Sequence, residues 1–448
     1  MTENTENTEK TKLDWTGRRL EVEVGSVAHG GHCVARHEGR VVFVRHALPG
    51  ELVLVEVTED RGGSFCRADA VEVRAAAPGR VTPPCPLADM ARGTDRCGGC
   101  DWQHADGPTQ RELKSTVVTE QLRRIAGIEH PVEVRELPGG LLRWRSRVRL
   151  AVNHSGHPGL RVHRSHRIIP LADCPITMTG ALDDVVAHRW PQQSELEVTK
   201  DAADEVHVTA HGRESGRHKR GRGKPVSRRV RGGEVAREEA VDRSWDLAAH
   251  GFWQVHPAAA DAFATTVARM AEVPIGGHAW DLYGGVGLFA AVLAEQVGPE
   301  GSVLMIESSR RAVEDASANL SDLPQVGFRA GRVEKLITAS DLARPDVVVL
   351  DPPRKGAGRA VVEAISAHRP RRIVHVACDP AALARDLGLF AERGYRLADI
   401  EGFDAFPMTH HVECIAALER IDEDRFSCHG VEAAEHGGSS SGTCGTAP

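Results

Sequence analysis

The sequence predicts an α/β fold in three parts: a small antiparallel β-barrel, a cysteine-bearing α+β region, and a doubly wound parallel sheet. Three observations predict it. From about Gly251 onward, apolar runs at residues 279–282, 303–307, 347–350 and 373–377 alternate with helical segments, the pattern of a parallel sheet covered on both faces. Between Trp15 and Ala75, strand-like runs at 20–24, 41–44, 52–57 and 70–73 are separated by Gly30-Gly31, Pro49-Gly50 and Gly62-Gly63, the spacing of a small barrel. Between these blocks the chain is mixed and holds Cys85, Cys97, Cys100 and Cys174.

Residues 1–13 read as a disordered tail, 14–75 as the barrel, 76–250 as the central region, 251–420 as the sheet domain and 421–448 as a flexible tail. In the central region, apolar Leu113, Val117 and Ile125 lie on one helical face that Gly127 ends, and 145–152 and 167–171 read as strands. With 448 residues, 41% apolar and 27% charged, the chain is an ordinary globular protein of several cores. No apolar run reaches the ~20 residues of a membrane helix, and residues 1–10, MTENTENTEK, are no secretory signal. No membrane association and a cytoplasmic location are expected. Nothing in the sequence fixes an oligomeric state.

The net charge of −7 is misleading, because residues 1–14 carry −2 and 419–448 carry −4. Within the near-neutral remainder, residues 213–231 hold nine Lys/Arg against Glu214 alone. Binding of polyanions follows local charge, so a basic loop at 211–236 is a candidate RNA contact. Arg143, Arg145, Arg147 and Arg149 alternate, which in a strand places them on one face.

Asp281-Leu-Tyr283-Gly284-Gly285-Val-Gly287 reads as strand end, glycine turn and helix start, where backbone approaches a ligand closely. Glu307 ends the next strand, 26 residues after Asp281, placed to take both ribose hydroxyls. The spacing is not G-x-G-x-x-G but D-x-x-x-G-x-G, which favours S-adenosylmethionine over a dinucleotide. Asp351 ends a third apolar strand before Pro352-Pro353-Arg354, and Arg354 stands where amino-group methyltransferases place an aromatic. Cys378 ends a fourth, where such sheets do chemistry and where the following helix N-terminus favours a thiolate. Glu413 opens the final strand after His410-His411-Val412. Cys97-Gly-Gly-Cys100, with Cys85 and Cys174, is a thiolate set for zinc or an iron–sulfur cluster.

Taken together, 251–255 (GFWQV), Asp281–Gly287, Asp351-Pro-Pro-Arg354, the run from Cys378 to Asp386 and His410–Glu413 resemble the RNA uracil-C5 methyltransferase family, which makes 5-methyluridine in tRNA and 23S ribosomal RNA. The first 60 residues resemble its RNA-binding barrel, the TRAM domain. The resemblance implies a class I methyltransferase domain, Cys378 as nucleophile at uracil C6 and Glu413 as the base that removes the C5 proton. It implies S-adenosylmethionine contacts from Gln254, Tyr283, Glu307 and Asp351, and a [4Fe–4S] cluster on Cys85, Cys97, Cys100 and Cys174, although eleven residues separate Cys85 from Cys97. Uridine would be reached unstacked. A 23S rRNA substrate is expected from the barrel and the cysteine set. Alternatives are tRNA, several rRNA sites, or a non-catalytic RNA-binding iron–sulfur protein.

Overall fold

A computed structural model of the chain describes residues 14–192, 194–213, 225–338 and 342–421. The tails expected at 1–13 and 421–448 lie outside these residues, Ile421 excepted.

Six strands form the first sheet: β1 (Arg19–Glu23), β2 (Val27–Ala28), β3 (His32–His37), β4 (Arg40–Arg45), β5 (Leu52–Asp60) and β6 (Phe65–Ala75), ordered β1-β5-β6-β4-β3-β2. Hydrogen bonds from Gly25 N to Val34 O (2.8 Å) and Val34 N to Ser26 O (2.9 Å) bring the chain after β1 back onto β3, closing the barrel. Period-2 alternation turns Leu20, Val22, Val42, Val44, Val53 and Val55 inward. Strand β3 was not expected, because His32, Arg36 and His37 disguise its inward Cys33 and Ala35.

Helix α1 (Gly107–Gln121) begins six residues before the expected 113. Asp106 caps it by accepting from Thr109 N (2.9 Å), and Pro108 suits the first turn. A single π-turn (Leu122–Ala126) follows and ends at Gly127, in the left-handed region. Lys114 of α1 is fully buried against Asp404 (2.5 Å) and also donates to Phe406 O (3.1 Å). After β7 (Val134–Glu136), the central region builds β8 (Arg147–Val152), β9 (Pro158–Arg161), β10 (Ile168–Pro170), α2 (Asp183–Ala187), β11 (Glu195–Lys200), β12 (Val206–Arg213) and β13 (Pro225–Arg231). All these strands but β7 form one antiparallel sheet, β10-β9-β8-β11-β12-β13.

Two expectations are corrected here. The basic segment 211–236 is not a loop throughout: 225–231 pair with β12 as an edge strand, because β-branched Val226 and Val230 supply strand propensity between the cations. Residues 214–224 lie outside the described residues. The arginines at 143–149 do not share one strand face: β8 begins only at Arg147, and Arg145 donates from Nε to Arg147 O (3.1 Å). Arg143 precedes the strand at φ +59° and pairs with Asp173, Arg147 with the buried Glu238 (2.6 Å), and Arg149 with Glu197 (3.4 Å).

A hairpin, β14 (Val235–Ala240) and β15 (Arg243–Ala248), leads into the last domain. This runs α3 (Ala259–Ala271), β16 (His278–Leu282), α4 (Leu288–Val297), β17 (Ser302–Glu307), α5 (Arg310–Asn319), β18 (Val326–Ala330), α6 (Val333–Leu336), β19 (Val347–Leu350), α7 (Gly358–Ala367), β20 (Arg372–Ala377), α8 (Pro380–Ala391), β21 (Tyr395–Asp404) and β22 (Glu413–Arg420). The eight-stranded sheet is ordered β18-β17-β16-β19-β20-β22-β21-β7. Its first five strands are parallel. Strand β22 inserts antiparallel between β20 and β21, and β7 crosses from the central region to pair with β21. One apolar core packs α3 and α4 on one face, another packs α1, α7 and α8 on the other. No helix among the described residues is long and apolar enough to cross a membrane.

Candidate active site and thiol chamber

The parallel strands end together in a cleft of about 1100 Å³. After β16, Tyr283, Gly285 and Gly287 all take positive φ, so the chain reverses within five residues. A Cβ on Gly287 would stand 2.8 Å from Leu320 Cδ1, so this position needs glycine for space as well as for φ +95°. Asp281 lies beneath the turn and accepts from Ala290 N (2.9 Å), pinning the start of α4. Its second oxygen, Oδ1, has no protein partner, and burial raises its carboxyl to about 7. Glu307, closing β17, accepts from Gly285 N (3.3 Å) and Ser309 N (2.7 Å), so it braces the glycine turn at the cleft wall.

Gln254, Tyr283, Glu307 and Asp351 all line this one cleft, together with Cys378 and Glu413. Gln254 arrives on an irregular segment that β8 anchors: Arg147 Nη1 donates to Gly251 O (2.6 Å) and Ser146 N to Val255 O (2.8 Å). Asp351 is half-buried, and desolvation followed by the charge of Glu307 pushes its carboxyl to about 7. Cys378 and Glu413 meet through register. Ala377 of β20 pairs with Cys414 of β22, so the residues beyond each partner, Cys378 and Glu413, emerge side by side from an antiparallel pair.

Burial raises the Glu413 carboxyl well above its ordinary range, with Asp351 adding to the effect and Arg354 opposing it. Cys378 differs from expectation. Burial first, then the charges of Glu413 and Asp351, push its thiol up to about 12, while Arg354 pulls the other way. Desolvation and two acids outweigh the start of α8, whose end charge is only a fraction of a unit. The loop that carries Arg354 is held by Asp386, which accepts from Ala357 N (2.7 Å) and Gly358 N (3.0 Å) and pairs with buried His375 (3.1 Å).

The four cysteines Cys85, Cys97, Cys100 and Cys174 face one small chamber, all as free thiols. The eleven intervening residues coil into two 3-10 turns, Pro86–Ala88 and Met90–Asp95, which return Cys97 N to Leu87 O (2.9 Å) and keep Cys85 beside the pair. Gln103 joins them, accepting from Cys85 N (3.0 Å) and donating to Cys100 Sγ (3.2 Å). Burial, reinforced by neighbouring thiols, raises Cys97 to about 11. Arg145 lines both this chamber and the cleft.

Sequence reasoning missed Arg145 as a shared wall, His29, and Asp101. Asp101 follows Cys100 and accepts from both His410 Nδ1 (2.6 Å) and His410 N (3.1 Å), so the cysteine hairpin steadies the loop leading to Glu413. Its only sequence signal is adjacency to the Cys97–Cys100 pair.

Comparison with known proteins agrees with this geometry. Residues 15–71 match the TRAM domain model, and residues 330–421 match the model described as tRNA (Uracil-5-)-methyltransferase. A protein of Streptomyces coelicolor named as an uncharacterized RNA methyltransferase is 46% identical over 90% of this chain and 93% of its own. One from Corynebacterium efficiens, named likewise, is 39% identical over 94% and 99%. The crystal structure of the Pyrococcus abyssi tRNA (uracil-54, C5)-methyltransferase with S-adenosyl-L-homocysteine shares the fold at TM-score 0.65 and 22% identity, covering 89% of this chain and all of that one. A barrel, a glycine-turn cleft and this degree of likeness to whole relatives lead to one assignment: the chain belongs to the RNA uracil-C5 methyltransferase family, in the form that carries an N-terminal TRAM domain.

Proposed function

We propose that this enzyme methylates C5 of a uridine in 23S rRNA, with S-adenosylmethionine as donor, Cys378 as nucleophile and Glu413 as base. The observation that carries the reading is the convergence of Cys378, Glu413 and Asp351 at the mouth of the glycine-turn cleft. The donor supplies an electrophilic methyl group on a sulfonium cation. Glu307 offers the cationic donor a carboxylate at the cleft wall, Arg311, Arg332, Arg354 and Lys355 line the same cleft, and Tyr283 and Gln254 complete its walls.

Uracil C5 is a weak nucleophile, so the chain's own residues must activate it. Cys378, its proton given up to solvent, attacks as the thiolate: the Sγ–C6 bond forms, the C5=C6 pair becomes C4=C5 and the C4=O4 pair moves to O4. Arg354, the cation that counters the rise of both Cys378 and Glu413, favours the thiolate at this step. C5 then bonds to the methyl carbon as the methyl–sulfur bond breaks, its electrons staying on the donor sulfur, which leaves as a neutral thioether. Glu413, as carboxylate, removes the C5 proton; that bond's electrons restore C5=C6, and the C6–Sγ bond breaks to return the thiolate. A carboxyl whose affinity for protons is raised by burial is a stronger base once ionised.

The thiol chamber fits a polynuclear cluster better than a single zinc ion. Tetrahedral zinc at about 2.3 Å from each sulfur would hold the sulfurs about 3.8 Å apart. Among the described residues, the group of metal-type ligands within 4.8 Å is Asp201, Glu205 and His207, not the cysteines. We assign Cys85, Cys97, Cys100 and Cys174 to a [4Fe–4S] cluster with a structural role, since uracil methylation moves no unpaired electron.

The test is nucleoside mass spectrometry of unmodified 23S rRNA and tRNA transcripts incubated with protein and S-adenosylmethionine. 5-Methyluridine from wild type but not Cys378→Ala supports the chemistry, and its appearance in tRNA alone overturns the rRNA target. The tRNA reading is the runner-up, since both the matched family model and the Pyrococcus structure bear tRNA names. Formation of no 5-methyluridine in either RNA overturns the enzyme reading.

A further inference from the structure

A second cleft, of about 490 Å³, lies at the seam between the barrel and the central sheet, outside the catalytic cleft. Its lining has a cationic excess. Arg45, Arg67, Arg96, Arg164 and Arg167 line it against three carboxylates, Glu59, Asp69 and Asp95. Four of the arginines are paired: Arg45 with Asp101, Arg96 with Asp69, Arg164 with Glu59 and Arg167 with Asp95. Arg67 has no carboxylate partner among the described residues. Its guanidinium lies 5.3 Å from the ring centre of Phe65 and 5.8 Å from that of Phe43, and its Nε is buried without a hydrogen-bond partner.

Three histidines, His32, His46 and His163, share the cleft. His46 is buried, with 8% exposure, and stands at φ +63°, in the left-handed region. Its Nε2 is also without a partner, as is Nε2 of His32. Burial, with the neighbouring arginines adding to it, lowers His32 and His163 to about 4. Unpaired buried polar atoms are costly unless a ligand completes them, and here three from separate residues border one cationic cavity. Beside Arg67, Phe65 is 44% exposed and packs edge-on to Phe43, with ring centres 5.5 Å apart. A cation sandwiched by an exposed aromatic is the arrangement that stacks an unpaired base while neutralising its backbone.

We propose that this seam is an RNA subsite separate from the catalytic cleft: the Arg67–His46 cavity takes a phosphodiester group of a single-stranded segment, and Phe65 stacks the adjoining base. The subsite rests on the reading of the enzyme as acting on RNA. It is tied to the catalytic domain through Asp101, which Arg45 contacts from the seam (3.4 Å) and His410 from the loop before Glu413. Gly31 of the barrel packs on the same histidine: a Cβ there would lie 2.9 Å from His410 Cβ. A strand held at the seam is therefore fixed relative to the catalytic loop.

The experiment measures RNA binding by fluorescence anisotropy at several salt concentrations for the full-length holoprotein, alongside 5-methyluridine formation. Arg67→Ala and Phe65→Ala should each weaken RNA binding about tenfold, raising KM for RNA with kcat and thermal midpoint unchanged. Arg67→Ala should also lower the logarithmic salt slope by about 0.7, while Arg67→Lys keeps the slope and loses only the stacking share. Both alanine variants matching a wild type that binds and methylates RNA overturns the subsite alone. Weakened variants of a wild type that forms no 5-methyluridine support the subsite and overturn the methylation reading. A wild type that binds inorganic phosphate in calorimetry but no RNA overturns both.

Discussion

His29, in the turn after β2, stands 3.2 Å from Asp379, the residue that follows Cys378. Asp379 also caps α8 by accepting from Ala382 N (2.8 Å), so one carboxylate joins the barrel to the helix that begins behind the nucleophile. Asp379 raises the His29 imidazole above its ordinary 6.5. A group with a raised folded-state pKa contributes stability that is full below 6.5 and lost as pH rises through the raised value. The docking should therefore loosen from about pH 6.5 upward, by no more than a surface-like pair provides because both groups are partly exposed. Hydrogen exchange of the 27–33 turn at pH 6 and pH 8 checks this, and His29→Ala should abolish the difference.

Glu413→Gln should separate the two halves of the proposed reaction. The amide cannot take the C5 proton, so the Cys378 adduct forms and persists. Turnover should fall about 10²–10⁴-fold, and a protein–RNA band should survive denaturing electrophoresis. Cys378→Ala should give neither product nor band. A Glu413→Gln protein with full turnover would remove Glu413 from the mechanism.

Asp351 predicts how donor affinity depends on pH. Its carboxyl, raised to about 7, is largely neutral at pH 6 and charged at pH 8. Binding of cationic S-adenosylmethionine should tighten across that interval, whereas binding of the uncharged thioether product S-adenosylhomocysteine should change less. Calorimetric titration of both at the two pH values reads the difference, and Asp351→Asn should flatten the donor's response.

The thiol chamber predicts an absorbance and a stability. Anaerobically purified protein should contain about four iron and four acid-labile sulfide per chain. Cys100→Ser should lose the broad visible absorption and lower the thermal midpoint, because the Cys97–Trp102 hairpin donates from Asp101 N (2.9 Å) and Trp102 N (3.0 Å) to Met408 O. One equivalent of zinc without iron would replace the cluster with a mononuclear site.

Lys114 and Asp404 form a fully buried ion pair between helix α1 and the end of β21. Lys114→Met leaves a buried carboxylate unpaired and should cost about 3–5 kcal/mol, read by urea unfolding. The double change Lys114→Met with Asp404→Leu should recover much of that loss, since no charge is then stranded.

Much of this was legible in the sequence because local pattern and tertiary role coincide. The four apolar parallel strands are buried on both faces, so they read as continuous runs. The turn at Asp281–Gly287 declares itself because positive φ and close packing restrict residue choice at Gly285 and Gly287. Other features have no local signature. Strand β7 is three residues long and exists only because β21 offers an edge. Lys114 looks like a solvent-facing residue until Asp404, 290 positions away, arrives beside it. The arginines of 143–149 read as one strand face, because nothing local shows that β8 begins only at Arg147 or that Asp173, Glu197 and Glu238, far off in sequence, pair with them. The rise of the Cys378 thiol follows from burial and two distant acids, neither of which a helix start announces.

The insertion of β22 between β20 and β21 has a consequence during synthesis. When residue 404 has left the ribosome, β20 and β21 both exist but cannot touch, and a gap one strand wide divides the sheet. Residues 413–420 fill that gap and deliver Glu413 in the same event. A message broken before codon 413 thus yields a chain with an open sheet interior, a substrate for proteolysis rather than a sluggish enzyme. The barrel's six strands, in contrast, are all synthesised by residue 75, and Trp102, Ala105, Leu113 and Val117 complete its core soon after, so a growing chain has its TRAM domain long before residues 413–420 close the sheet.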